Sequence, residues 1–220
     1  NRGRRTKQSP PISYQQAQEF KERFGNKAIV SISYGAANNG LIKFQNKKTN
    51  PIIRIKGIDE NFFKVMGYEI EFGRSFSTHE LEYGISKAIV GKDIIKTLFD
   101  DNAQKALMQI ITVNDQKYQI VGILKSKGSS MNEGADRRVL IPLNKSKIEY
   151  ANLEADYDLN VSVPVAKQLD DMISQAIGEM RIVKSLKSYE ENNFEINKSD
   201  GIITFLKDNT VKLRAATIAI

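Results

Sequence analysis

The stretch from Ile110 to Pro142 constrains this 220-residue chain more than any other. Two apolar runs, Ile110–Val113 and Tyr118–Leu124, flank Asn114-Asp115. Both turn residues tolerate the left-handed backbone of a tight reversal, so the pattern predicts a β-hairpin. The hairpin empties into a Gly/Ser-rich loop, Ser126–Ala135, that has no hydrophobic period, and a third apolar run, Val139–Pro142, closes the unit. A small sheet carrying one long loop follows from this. A reaction does not.

The flanking segments have their own grammar. Ser13-Tyr-Gln-Gln16 is a capping box that opens a helix to Phe24, stopped by Gly25, with Ala17, Phe20 and Phe24 on one face. Short strands are expected at Ile29–Tyr34, Leu41–Phe44 and Ile52–Ile55. Asp59 can cap a short helix carrying Phe62, Phe63 and Met66 that ends at Gly67. A short extended run at Tyr68–Phe72, a second capping box at Ser77-Thr-His-Glu80, an apolar strand at Ala88–Val90 and a helix bearing Ile94, Ile95, Leu98 and Phe99 lead to the hairpin. Beyond it a short helix around Lys145–Ala151 precedes the alternation Tyr157, Leu159, Val161, Val163. The spacing of Leu169, Met172, Ile173, Ala176, Ile177, Met180 and Val183 then predicts the strongest amphipathic helix in the chain. Phe194 and Ile196 mark a last strand, and Ser199 or Asp200 is expected to start a final helix through Leu213.

These elements imply an α+β fold in two lobes. Residues 12–57 with 143–198 make a sheet-and-helix lobe of βαβ type, and residues 58–142 form a smaller inserted α/β lobe. Residues 1–11 read as a basic tail or linker, and 199–220 as a terminal helix. Arg2, Arg4, Arg5 and Lys7 crowd that tail, and Lys plus Arg exceed Asp plus Glu by 33 to 26, a net charge of +7. The tail lacks the interleaved aromatics of a nucleic-acid arm, and elsewhere both signs alternate, so no nucleic-acid partner is expected. No run approaches the roughly 18 apolar residues of a membrane span, so the polypeptide as it stands is expected to be soluble. It opens on Asn without a leader pattern, which suggests a piece of something longer.

The residue inventory argues against catalysis. There is no cysteine, hence no thiolate nucleophile and no Cys-zinc site. His79 is the single histidine, and it falls inside a capping box. Lys127-Gly128-Ser129-Ser130 lacks the P-loop pattern and leads to a strand rather than a helix N-terminus. No nucleophile elbow and no calcium loop are present. No catalytic, cofactor-binding or metal-ligating residues are assigned. What the loop offers instead is a contact surface: Lys125, Lys127, Arg137 and Arg138 around the flexible Ser129 and Ser130 suit an anionic partner, or simply a solvated surface loop.

The motifs also carry a resemblance. VGILKSKGSS followed by DRRVLIPL resembles the extracytoplasmic core domain of MacB-type ABC transporter permeases, a group that includes FtsX and the lipoprotein-releasing LolC and LolE. Gly57-Ile-Asp-Glu-Asn-Phe-Phe-Lys-Val-Met-Gly67, Phe72-Gly-Arg-Ser-Phe76 with Glu80-Leu81, and Ala88-Ile-Val-Gly91 through Leu98-Phe99 resemble successive family motifs in the expected order. The hairpin matches with Asp115 where glycine is usual, and Asn102-Ala-Gln-Lys-Ala-Leu107 replaces a family D-P-I-G-K segment. Phe194-Glu-Ile196 resembles the approach to a second transmembrane helix. The resemblance implies a periplasmic domain of a bacterial inner-membrane permease, organised as a porter-like lobe with a smaller insertion. It further implies efflux of antibiotics or peptides by mechanotransmission, ATP hydrolysis in a separate cytoplasmic domain or subunit, a periplasmic adaptor (membrane fusion) protein as partner, and dimerisation with a second permease. The alternative within the group is an FtsX-like scaffold that activates a cell-wall hydrolase.

Overall fold

The computed structural model describes residues 9–126, 133–163, 165–199 and 201–208. Ser13 caps α1 (Tyr14–Phe24): its Oγ accepts from the Gln16 amide at 3.2 Å, and Gln16 Oε1 accepts from the Ser13 amide at 3.1 Å. Two of the helix's orphan amides are thereby satisfied. Ala17, Phe20 and Phe24 point inward as their spacing requires.

The chain then enters β1 (Ile29–Gly40), which is longer than the alternation suggests, and passes through Leu41 into β2 (Ile42–Phe44). After β3 (Lys47–Lys48) and β4 (Ile53–Ile58) comes α2 (Phe62–Met66), closed by Gly67 at φ 65°. Asp59 does not cap α2. Asn61 occupies the N-cap position without a side-chain bond, and the Asp59 carboxylate is drawn into the core instead. β5 (Ile70–Gly73) precedes α3 (Thr78–Tyr83), which opens on the expected capping box at Ser77 and Glu80. Glu80 also takes a two-pronged hold from Arg74, at 2.8 Å to each oxygen. That contact holds its carboxyl pKa down at about 2.

β6 (Lys87–Val90), α4 (Lys92–Phe99) and α5 (Ala103–Ala106) lead to the hairpin, β7 (Ile110–Val113) and β8 (Gln116–Leu124). Asn114 and Asp115 both take positive φ, at 45° and 69°. The short α6 (Glu133–Asp136), β9 (Arg138–Pro142) and α7 (Leu143–Tyr150) follow. Then come β10 (Tyr157–Ser162), α8 (Leu169–Val183), β11 (Phe194–Ser199) and β12 (Ile202–Lys207).

β12 corrects the expected terminal helix. Residues 202–205 pair with β10 and 202–207 with β11, and Gly201, at φ 78°, lies between the paired Ser199 and Ile202. Ile203 and Phe205 are buried while Ile202, Thr204 and Leu206 are half-exposed, a period of two rather than 3.6. The Asp200-Gly201 dipeptide is a hairpin signal that the helical reading overlooked. The remainder of that expected helix lies outside the described residues, as does most of the basic tail.

One continuous pairing path, β11-β12-β10-β1-β4-β9-β6-β8-β7-β2-β3, runs through the molecule, with β5 alongside β8. Because β2 continues β1 after one residue, the section from β1 through β7 to β2 returns to the strand on which it began. The ring so formed has a barrel-like interior. Alternation confirms the two sides: Ala88, Val90, Val139 and Ile141 join the core with Ile42, Ile53, Ile55 and the apolar face of α4. Their neighbours Ile89 and Leu140 face outward into a second cluster with Phe62, Tyr68 and Val121. A third core lies between β1, β10, β12 and the two long helices, and contains Phe20, Phe24, Ile32, Leu159, Met180 and Phe205. β10 and β11 run parallel with β12 between them, so β10-α8-β11 is a βαβ unit split by a strand. Ile42, Ile53 and Ile55 pack in the ring, so the segment 12–57 supplies both the ring core and the helix-covered core.

Candidate partner-binding site

The basic residues flagged by the sequence gather at the end of the ring where β4 and β9 begin and β6 and β8 finish. Lys125, directly after β8, is exposed and pairs with Glu69 at 2.8 Å, a hydrogen bond that raises its pKa. Arg137 is exposed too, and its Nε reaches Asp93 Oδ2 on α4 at 3.0 Å. Arg138 opens β9 and is half-buried. Its Nη1 donates to the Tyr68 hydroxyl at 2.7 Å, and its guanidinium carbon lies 5.6 Å from the Tyr68 ring centroid, within cation–π range. Its Nε is enclosed without an acceptor. Lys127, Ser129 and Ser130 lie outside the described residues.

Sequence reading missed Arg54 and Ile52 at this end. In the parallel β4–β9 ladder Arg54 stands in register with Arg138, a pairing between residues far apart in the chain that no local pattern announces. Ile52 is 47% exposed, a large apolar side chain set among cations. It lines two shallow depressions of about 260 and 170 Å³, each of which also includes Arg137.

A larger cleft of about 320 Å³ opens between α1, the β4–α2 connection, α3 and α7. Tyr14, Leu81 and Leu143 supply apolar wall, and Asp59, Glu60 and Glu82 supply acid. Asp59 is the anchor. It accepts from Ser31 Oγ at 2.8 Å, the Ile32 amide at 2.7 Å, the Asn61 amide at 3.1 Å and Lys21 Nζ at 2.8 Å. Burial pushes its carboxyl pKa up, against the pull of the Lys21 ammonium and these donors. The network therefore ties α1 to β1 and to the start of α2.

His79 is exposed and packs its ring 4.6 Å from that of Tyr83. Among the described residues no group of three or more His, Asp or Glu is placed to hold a metal ion. Ion pairs, a half-buried guanidinium and an exposed isoleucine mark the ring end.

An α+β architecture with a helix-covered sheet running into a closed ring defines the class to which this chain should be compared. The chain belongs to the MacB-like periplasmic core domain family, whose model matches residues 2–179. A macrolide export ATP-binding/permease protein MacB from Escherichia coli is 27% identical over 177 residues, covering 78% of this chain and 26% of that protein. The pyoverdine export ATP-binding/permease protein PvdT from Pseudomonas syringae pv. tomato is 21% identical over 197 residues, covering 88% of this chain and 28% of that protein. The chain thus spans little more than a quarter of the length of either relative. Among solved structures, the extracellular domain of the noncanonic ABC-type transporter YknZ from Gram-positive bacteria superposes with a TM-score of 0.62 at 16% identity, covering 82% of this chain and 93% of that one. The periplasmic region of MacB from Actinobacillus actinomycetemcomitans gives 0.62 at 12% identity, over 92% and 81%. The fold expected from the resemblance is therefore found, and no helix among the described residues is long and apolar enough to cross a membrane.

Proposed function

We propose that this chain is the extracytoplasmic domain of an export permease and that it passes motion driven by cytoplasmic ATP hydrolysis to a periplasmic adaptor or a cargo. The observation that carries this reading is the family match over residues 2–179, supported by relatives that are ATP-binding/permease export proteins. Within it the domain does no chemistry. It supplies a binding end on the ring and an elastic connection through the continuous sheet, while the ATPase belongs to another domain or subunit, and two permeases work as a pair. Residues 12–57 with 143–198 act as one lobe and 58–142 as the other, joined where segment 12–57 also enters the ring core, and the ring end with Lys125, Arg137 and Arg138 faces the partner.

The test is made in the full-length permease. Replacing residues 12–198 with a short flexible linker should abolish export while ATP hydrolysis by the purified protein stays within about twofold. Export that survives the replacement would overturn the proposal. In parallel, the 220-residue chain should capture a purified adaptor protein from the same cell. Capture of a cell-wall hydrolase in its place would move the assignment to the FtsX-like scaffold.

A further inference from the structure

We infer that Arg54, Arg138 and Ile52 form a recognition site for an acidic peptide segment of a protein partner, with a carboxylate gripped between the two guanidinium groups. Arg54 and Arg138 are lateral neighbours on parallel strands. A Cβ placed on Gly134 would lie 3.1 Å from Arg138 Nη2 and 3.9 Å from Arg54 Nη1, so both guanidinium groups lie against the same glycine. Like charges side by side on a sheet repel, and an arginine cannot shed its proton to relieve this. No carboxylate among the described residues forms an ion pair with either one.

The orientation of Arg138 sharpens the case. With Nη1 spent on the Tyr68 hydroxyl, the Nε–Nη2 edge remains, the edge that holds a carboxylate through two parallel hydrogen bonds. Nε on that edge is enclosed without an acceptor among the described residues, so the guanidinium swings outward to present the full fork to an incoming carboxylate. Two neighbouring acids, Asp93 and Asp136, are committed elsewhere. Asp93 holds Arg137, and Asp136 accepts from Ser126 at 2.8 Å through Oδ2, while its Oδ1 is itself enclosed without a donor. Arg54 thus remains an exposed cation without an ion pair, beside the exposed Ile52 and the 170 Å³ depression that both line. Charge selects an acidic ligand, and Ile52 adds an apolar contact that a free inorganic anion cannot use, which commits the site to a peptide. This goes beyond the exporter reading and does not depend on it.

The experiment titrates the 220-residue chain into a fluorescein-labelled, end-capped decapeptide of alternating Glu and Leu at 50 mM NaCl, read by anisotropy. Saturable binding is expected, weakened at least fivefold by Arg54→Gln and by Arg138→Lys. The latter keeps the charge and loses the fork. Binding should fall as NaCl rises to 300 mM, because exposed charges are screened. Lys117→Gln, at the opposite end of β8, should leave it unchanged. Circular dichroism confirms that each variant is folded. Three results would each overturn the inference: equal weakening by Lys117→Gln, binding indifferent to Arg54→Gln, or equal binding of a control decapeptide of alternating Gln and Leu with the same label and end caps. Saturable binding of inorganic phosphate without binding of the peptide would also overturn it, in favour of a small-anion site. Export that survives replacement of residues 12–198, together with Arg54-dependent peptide binding, would sink the exporter reading alone.

Discussion

Glu80→Gln isolates a charge from a shape. The glutamine keeps the length of the side chain and an oxygen for the Ser77 amide, which Glu80 Oε2 holds at 2.9 Å, but it removes the anion that Arg74 grips with two nitrogens. The carboxyl pKa falls from 4.5 to about 2 in the folded protein, with the Arg74 hydrogen bonds as the largest cause. A depressed carboxylate stabilises the fold above its unfolded pKa, and that stability is lost as pH falls through the folded value. At roughly 1.4 kcal/mol per unit the ceiling is about 3.5 kcal/mol, and the half-exposed Arg74 guanidinium reduces this to about 2 kcal/mol. Urea unfolding of wild type and variant should therefore differ by about 2 kcal/mol at pH 7 and by less than about 1 kcal/mol at pH 2.5, where most of the linkage is gone. A difference below about 0.5 kcal/mol at pH 7, or one of equal size at both pH values, would refute the reasoning.

Two further outcomes follow from packing. A Cβ on Gly57 would meet Ser146 Oγ at 1.8 Å and Ser146 Cβ at 2.5 Å, so Gly57→Ala should cost about 1–3 kcal/mol, and adding Ser146→Gly should recover part of it in a double-mutant cycle with a coupling of about 1 kcal/mol or more. In β12, Ile203→Ala should cost about 2–4 kcal/mol and Ile202→Ala less than about 1 kcal/mol, measured by chemical denaturation; comparable costs at both would contradict the strand's alternation.

What the sequence disclosed, it disclosed through local rules. Ser13 and Ser77 capped where their partners three residues on required it, Gly67 took the left-handed cap, and Asn114-Asp115 turned the hairpin. The βαβ unit was legible as alternation followed by a helical stripe, but β12 inside it was not: Ile-Ile-Thr-Phe-Leu fits either element until its pairing partners are known. The misreading of Asp59 has the same origin. An aspartate three residues before a short helix looks like a cap, yet the buried hydroxyl of Ser31 and the amide of Ile32, distant in sequence, claimed it. At the ring end, Lys125, Arg137 and Arg138 stood out because they cluster in the chain. Arg54 did not, since its place beside Arg138 is set by a parallel ladder between segments about eighty residues apart.

The uninterrupted passage from β1 into β2 has a mechanical consequence. From Ile29 to Phe44 a single backbone serves first the helix-covered layer and then the wall of the ring, roughly 50 Å of extended chain at about 3.3 Å per residue. A tug applied to α1 or α8 thus reaches the ring along covalent bonds and ladder hydrogen bonds, without having to cross a slippery side-chain interface. The register slips between Gly35 and Gly40 are where such a spar would flex, because there the ladder to β4 is thinnest. The two layers are thus joined by a shared strand rather than by a hinge.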